Sequence, residues 1–319
     1  MYLKHHNSYY IENRIMKYLK HTTILLLAFL FSLEAFATDY YINSETGNNI
    51  KNGKSPETAW KSLDKINVQK FKPGDRILLA SGQEFFGTLK LNNQSGKKSK
   101  PIVISSYSYN NNTEKPIINA KGFLNGVLLN NCSHIKIEGL TIKANGGANP
   151  KWQKKGMRCG VLVTTSKSGV YQNITIENLE VKDVFYENPG FERGAKEVKT
   201  ANGTQSYGWG IRLINKTKDA LIKNVLINSC KVTNVGHTGI KLKGELEGLK
   251  IYNNTVLKTG GPGIQFSIVT DAHVKGNKVN YSGSKDDSRK WGRGSGLWTW
   301  GCKNAIIEHN SFRNANGPA

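Results

Sequence analysis

Cysteine is scarce in this chain. Four in 319 residues, at Cys132, Cys159, Cys230 and Cys302, are too few to staple a protein of this length, and no pair has zinc-type spacing. Acidic residues are scarce too: 23 Asp and Glu stand against 45 Lys and Arg, for a formal net charge of +22. The strongest apolar run, Ile24 to Leu33, is too short for a typical membrane-spanning helix. The Leu-x-x-Leu-x-Leu frame of a leucine-rich repeat is missing, and so is any compact basic motif of a DNA-binding module. These absences remove disulfide scaffolds, zinc modules and leucine-rich solenoids from consideration.

From Met16 the chain reads MKYLKHTTILLLAFLFSLEAFA. A lysine-bearing start, an apolar run and the small-x-small end Ala35-Phe36-Ala37 are the layout of a secretory signal peptide over 16–37. Residues 1–15 read as an upstream extension from a misassigned start codon. The mature chain is expected to begin at Thr38 or Asp39, secreted to the periplasm or the exterior, with no membrane insertion after cleavage. Without residues 1–37 the counts fall to 41 basic and 21 acidic, a net charge of +20. An exported, strongly basic protein attracts polyanions. Outside a cell those are acidic polysaccharides more often than nucleic acid, although a solubilising lysine coat would give the same charge.

What the sequence does have is a repeat. Six segments align from Gly126, Gly160, Gly210, Gly239, Gly263 and Gly296. Each opens Gly-apolar-x-apolar and continues into a second alternating strand. Ile137, Ile176, Ile227, Ile251, Val274 and Ile307 form one column of that strand; Ile142, Val181, Val232, Val256, Val279 and Phe312 form another. Between them run Leu140, Leu179, Cys230, Asn254, Asn277 and Asn310. The three asparagines predict a ladder of stacked amides, with Cys230 a small buried filler. Short strands, tight polar turns and columns repeated in every segment predict an all-β solenoid, a parallel β-helix over 126–319.

Residues 38–125 read as the cap and first irregular coils. SPETAWKSLDKI predicts a helix with Ser55 as N-cap, Pro56 at its first position and Ala59, Leu63 and Ile66 on its apolar face. RILLASGQEFFGTLKL, PIVISSY and KPIINA predict strands. After the sixth segment the chain reads NANGPA, with no capping element, so further coils are expected to be missing.

YYINSETGNNIKNGKSPETAWKSLDKIN, FKPGDRILLASGQEFFGTL, GWGIRLIN, GHTGIKLKG, GGPGIQFS and RKWGRGSGLWTWG together resemble secreted bacterial right-handed parallel β-helix proteins of the pectate-lyase-like superfamily. The resemblance covers the mature chain. It implies the fold, with polysaccharide lyases, glycoside hydrolases and non-catalytic binders all represented among its members. GHTG is superficially similar to the Gly-His-Gly element of polygalacturonases. That family's Asn-Thr-Asp and Arg-Ile-Lys elements are absent, so the assignment is rejected.

The repeat spacings, 34, 50, 29, 24 and 33 residues, place the insertions just before the Gly strand, at one corner of the solenoid. Insertions there tend to wall a binding face. Strand alternation points two columns outward: Leu128, Leu162, Arg212, Lys241, Gln265, Trp298, and Asn130, Thr164, Ile214, Lys243, Ser267, Trp300. Arg212, His237 and Lys241 are the candidate catalytic residues. Lys243, Gln265, Arg293, Trp298 and Trp300 are the candidate substrate contacts. Cations bind carboxylate or sulfate, and flat aromatics bind sugar rings.

For elimination at a uronic acid, Arg212 would neutralise the carboxylate and Lys241, its pKa lowered by neighbouring cations, would take the proton. His237 would be a second acid or base, or a turn residue hydrogen-bonded locally. Hydrolysis needs two carboxylates, and only Glu187, Glu192, Asp286 and Asp287 of the insertions offer them. Calcium is the one candidate cofactor, with Asp286-Asp287 and Glu187, Glu192 and Glu197 as weak ligands. The expected protein is a monomer acting on an acidic polysaccharide by β-elimination, with hydrolysis or binding alone as alternatives.

Overall fold

The structure is a computed structural model and describes residues 16–18, 20, 37–145, 158–184, 207–283 and 294–315. The chain divides into two units, Met1–Phe36 and Ala37–Ala319. In the first, the described residues are helical. No helix among the described residues is long and apolar enough to cross a membrane. The second unit is the solenoid.

Each coil of the solenoid has three parallel faces. The first runs from Leu89–Asn92 through Asn125–Asn130, Arg158–Thr164 and Tyr207–Ile214 to Leu297–Trp300. The second carries Ile135–Glu138, Gly169–Glu177, Ala220–Asn228 and Ile306–Glu308. The third is an eight-stranded sheet ending at Ser311–Arg313. Strands Ile240–Tyr252 and Ile264–Lys275 run through the corner from the first face to the second, which joins those faces into one fourteen-stranded sheet.

The expected columns hold in register. Ile137 pairs Ile176, then Ile227, Ile251, Val274 and Ile307. Ile142 pairs Val181, then Val232, Val256, Val279 and Phe312. One expectation is corrected, because the second strand is two strands with a bend between them. The bend falls at Gly139, Asn178, Ser229, Asn253, Gly276 and His309, all at positive φ. A left-handed residue ends one strand and re-aims the next, so the two isoleucine and valine columns sit on different faces.

Directly after that bend lies the asparagine ladder. Asn254 Nδ2 donates to Asn277 Oδ1 at 2.9 Å, and Asn277 Nδ2 donates to Asn310 Oδ1 at 2.9 Å. The backbone N–H of Cys230 donates to Asn254 Oδ1 at 2.9 Å. Asn254 and Asn277 are buried and Asn310 partly so, yet their polar atoms are satisfied from coil to coil. All four cysteines are free.

At the N-terminal end the predicted helix is broken. A 3-10 turn, Pro56–Thr58, is capped by Ser55, and a separate helix, Leu63–Val68, follows. Trp60 causes the break. It bridges to Ile42, stacks on Tyr40 with ring centroids 5.2 Å apart, and donates its Nε1–H to Lys51 O at 2.9 Å. Ala59, Leu63 and Ile66 are buried as expected. Asn67 then substitutes for a missing coil: its Nδ2 donates to Thr88 O, and its Oδ1 accepts from Lys90 N. The edge strand is thereby closed against pairing with another chain.

The repeat glycines are fixed by contact. A β-carbon on Gly239 would collide with Val256 Cγ1 of the third face and lie 2.7 Å from Gly263 O of the next coil. Gly160, Gly210 and Gly263 meet valines of the same column in the same way. Gly239→Ala is therefore expected to destabilise the fold by about 1–3 kcal/mol through overpacking, read as a lower urea midpoint at unchanged slope.

Candidate functional site

Both outward columns of the first face are built as the alternation predicts. Leu128 pairs Leu162, Leu162 pairs Arg212, Arg212 pairs Lys241, Lys241 pairs Gln265, and Gln265 pairs Trp298. Beside them Ile214, Lys243, Ser267 and Trp300 follow one another. Parallel pairing puts successive members roughly 4.8 Å apart. From Leu128 onward the first of these columns is apolar at Leu128 and Leu162, cationic at the middle and aromatic at the last described coil, with Lys90 before Leu128.

Burial departs from a plain outward face. Arg212 is only 7% exposed, and Gln265 and Ser267 are buried as well. Lys241 is partly buried, while Lys243, Trp298 and Trp300 are exposed. Around Arg212 lies a second apolar cluster, separate from the solenoid core: Cys159, Leu162, Trp209 and Ile214, with Leu128 against it. The guanidinium carbon of Arg212 sits 3.6 Å from the centroid of the Trp209 ring. Trp209 and Cys159 escape a reading of the columns because they precede the alternating positions. The aromatic before Gly210 in GWGIRLIN was the available signal.

His237 does not stand where the strand pattern would place it. The strand begins at Ile240, and His237 lies before it, buried. Its ring packs on Trp209 with centroids 5.3 Å apart, and Nδ1 is 2.7 Å from Thr238 Oγ1. Its backbone N–H donates to Gly208 O at 2.9 Å. Of the two roles expected for His237, this geometry matches the turn residue bonded to its neighbour. Trp209 thus touches both Arg212 and the tilted ring of His237. Arg293, Glu187, Glu192, Glu197, Asp286 and Asp287 lie outside the described residues. Among the described residues no group of three or more His, Cys, Asp or Glu could hold a metal ion.

The electrostatics single out two groups. Burial pushes the Lys241 ammonium down to about 7, and the Arg212 and Lys243 charges push the same way. Like-charge repulsion was the cause expected from the sequence; burial comes first. Burial also lowers Arg212 to about 10. Its Nε and Nη1 are buried with no hydrogen-bond partner among the described residues, and neither has Trp209 Nε1. Each such donor costs about 1–3 kcal/mol. A cluster of unpaired donors without a facing acceptor fits a ligand that is rich in acceptors. Lys241 Nζ lies 6.0 Å from the Trp298 ring centroid, at the outer limit of a cation–π contact.

Two outcomes follow for stability. Arg212→Met keeps the packing on Trp209 and removes the unpaired donors, so the thermal midpoint is expected to rise, by roughly 1–3 kcal/mol of stability. Lys241→Met is expected to stabilise below pH 7, where the folded state holds an unfavourable charge. Between pH 7 and the ordinary lysine range near 10.5 the unfolded chain binds more protons. The gain should shrink across that window and vanish above it, in paired urea titrations of both proteins.

The sequence profile described as the right handed beta helix region matches residues 125–319. A lacto-N-biosidase of Bifidobacterium longum is 22% identical, over 87% of this chain and 22% of its own length. Two crystal structures of GH136 lacto-N-biosidase from Eubacterium ramulus are similar in fold. The selenomethionine derivative gives a TM-score of 0.68 at 22% identity, covering 96% of this chain and 56% of that one. The native form gives 0.64 at 21% identity, covering 86% and 51%. The chain spans about half the length of the solved relatives and less of the curated one. With the profile matching well over half of its length, and the stacked columns in register, the chain belongs to the right-handed β-helix family.

Proposed function

We propose that this chain is a secreted, carbohydrate-active protein whose first face binds an anionic sugar unit at Arg212 and acts on it by β-elimination. The observation that carries the reading is the buried, unpaired donor cluster of Arg212 and Trp209 beside a lysine whose ammonium is held near 7. A uronate carboxylate supplies the acceptors that Arg212 lacks among the described residues. Neutralising it makes the carbanion at C5 tolerable. Near neutral pH a large share of Lys241 is the free amine, the form able to accept a proton.

The step balances without a co-reactant. The Lys241 amine takes the C5 proton, and the C–H pair becomes the C4=C5 double bond. The C4–O bond breaks, the leaving oxygen takes a proton from water, and the hydroxide so formed takes the proton held by Lys241, which restores the amine. Lys243, exposed next to the pair, holds the charge of a neighbouring unit. The outward columns of the described coils contain no carboxylate, so the two-carboxylate arrangement of a hydrolase is not assembled there.

A second reading, hydrolysis of a glycosidic bond, is favoured by the likeness to lacto-N-biosidases along most of the chain. It would draw on carboxylates outside the described residues. Incubation with a panel of acidic polysaccharides, following ultraviolet absorbance and reducing ends together, separates the readings. Elimination raises both signals; hydrolysis raises reducing ends alone; a binding protein raises neither. Under elimination, kcat/KM should climb with pH through about 7 as Lys241 loses its proton. Lys241→Ala and the permanently charged Lys241→Arg should each lose activity at least a hundredfold while remaining folded. Activity retained by Lys241→Arg would remove Lys241 as the base.

A further inference from the structure

In the last three described coils the corner between the first and second faces begins at a left-handed residue. After Lys243 it is Gly244, at φ 107°, and after Trp300 it is Gly301, at φ 61°. In the coil between them the residue after Ser267 is Ile268, at φ 60°. Glycine adopts a left-handed backbone freely; a β-branched residue does so only under strain. Packing gives little back, since Ile268 is 41% exposed. Strain of this kind persists where the side chain is wanted for something other than the fold.

Its surroundings show what that is. The side chain leans over the following coil, with Cγ1 3.9 Å from where a β-carbon of Gly301 would stand. From that coil project Trp298 and Trp300, the outward members of strand Leu297–Trp300. They point outward by alternation, because Leu297, next to Trp298 in the strand, packs against the core. Trp300 pairs with Ser267, which pairs with Lys243. Three exposed apolar side chains are therefore continuous with the cationic pair and bordered by a hydroxyl and an ammonium.

We propose that Ile268, Trp298 and Trp300 form a platform for the C–H face of a sugar ring, two to three coils beyond Arg212. Two to three coil spacings are roughly 10–14 Å, so the ligand is an oligosaccharide of about three units or more. One unit is anionic at Arg212, and another presents an unhindered apolar face to the tryptophans. Glycine at 268 would turn the corner without strain but would leave the platform open on that side. Ile268 is thus a specificity-determining residue, and the inference rests on the carbohydrate reading given above.

The test uses the full chain, with a galacturonate hexamer, galacturonic acid itself and a neutral galactan hexamer as probes, followed by calorimetry and tryptophan emission. Ile268→Gly, and Ile268→Asn as a second left-handed-tolerant variant, should unfold at the same or a higher temperature. Each should raise the Kd for the uronate hexamer about tenfold, and so should Trp300→Ala, with no change for the monosaccharide. Unchanged hexamer affinity in these variants overturns the platform, and so does a lower unfolding temperature for both Ile268 variants. If Arg212→Met abolishes hexamer binding while Ile268→Gly does not, the anion site stands and the platform fails. If the neutral hexamer binds and only the platform variants weaken it, the platform stands and the acidic reading fails. Binding of neither hexamer by the wild type overturns both.

Discussion

Parallel pairing between identical positions of successive coils is the constraint on which everything else depends. A strand of the first face has its backbone partners in the coils before and after it, so each coil must repeat the spacing of its neighbours. Glycine at the start of the first strand permits that spacing, because a valine of the third face and the next glycine's carbonyl occupy the volume a side chain would need. Core columns and outward columns are two results of one register. Arg212 stands beside Lys241 for the same geometric reason that Ile227 stands beside Ile251.

This dependence explains how much was legible in the sequence. In a solenoid, aligning the repeats is aligning the structure, so the core columns, the asparagine ladder and the order Arg212, Lys241, Gln265, Trp298 could be read directly. The bend that divides the second strand was not legible. It is carried by Gly139, Asn178, Ser229, Asn253, Gly276 and His309, and the latter four types share no single propensity. The broken helix was hidden for a different reason. A good N-cap and an apolar face argue for continuity, and only the tertiary docking of Trp60 on Tyr40 overrides them.

The site was half legible. Alternation gives direction and says nothing about enclosure, so Arg212 was read as an outward cation and found buried against Trp209. The same gap hid the cause of the lowered Lys241 pKa, where removal from water outranks repulsion. The strand starts at Ile240, so alternation gives no direction for His237. Backbone bonds from coil to coil still run through it, from its N–H to Gly208 O and from Gly261 N–H to its carbonyl, and its side chain is set by Trp209 and Thr238.

The asparagine ladder also gives the stack a direction. Asn254, Asn277 and Asn310 each donate Nδ2 to a carbonyl of the preceding coil, at Ile227, Ile251 and Val274. Each also accepts at Oδ1 from the backbone N–H of Cys230, Asn254 or Asn277 in that same preceding coil. Every amide therefore seals the turn synthesised before it and leaves its own turn to be sealed by the next. A chain emerging from the ribosome can close its coils one at a time in the order they are made, each new asparagine completing the polar interior of the last. Assembly from the opposite end would instead leave each asparagine's Nδ2 and Oδ1 open until the preceding coil joined.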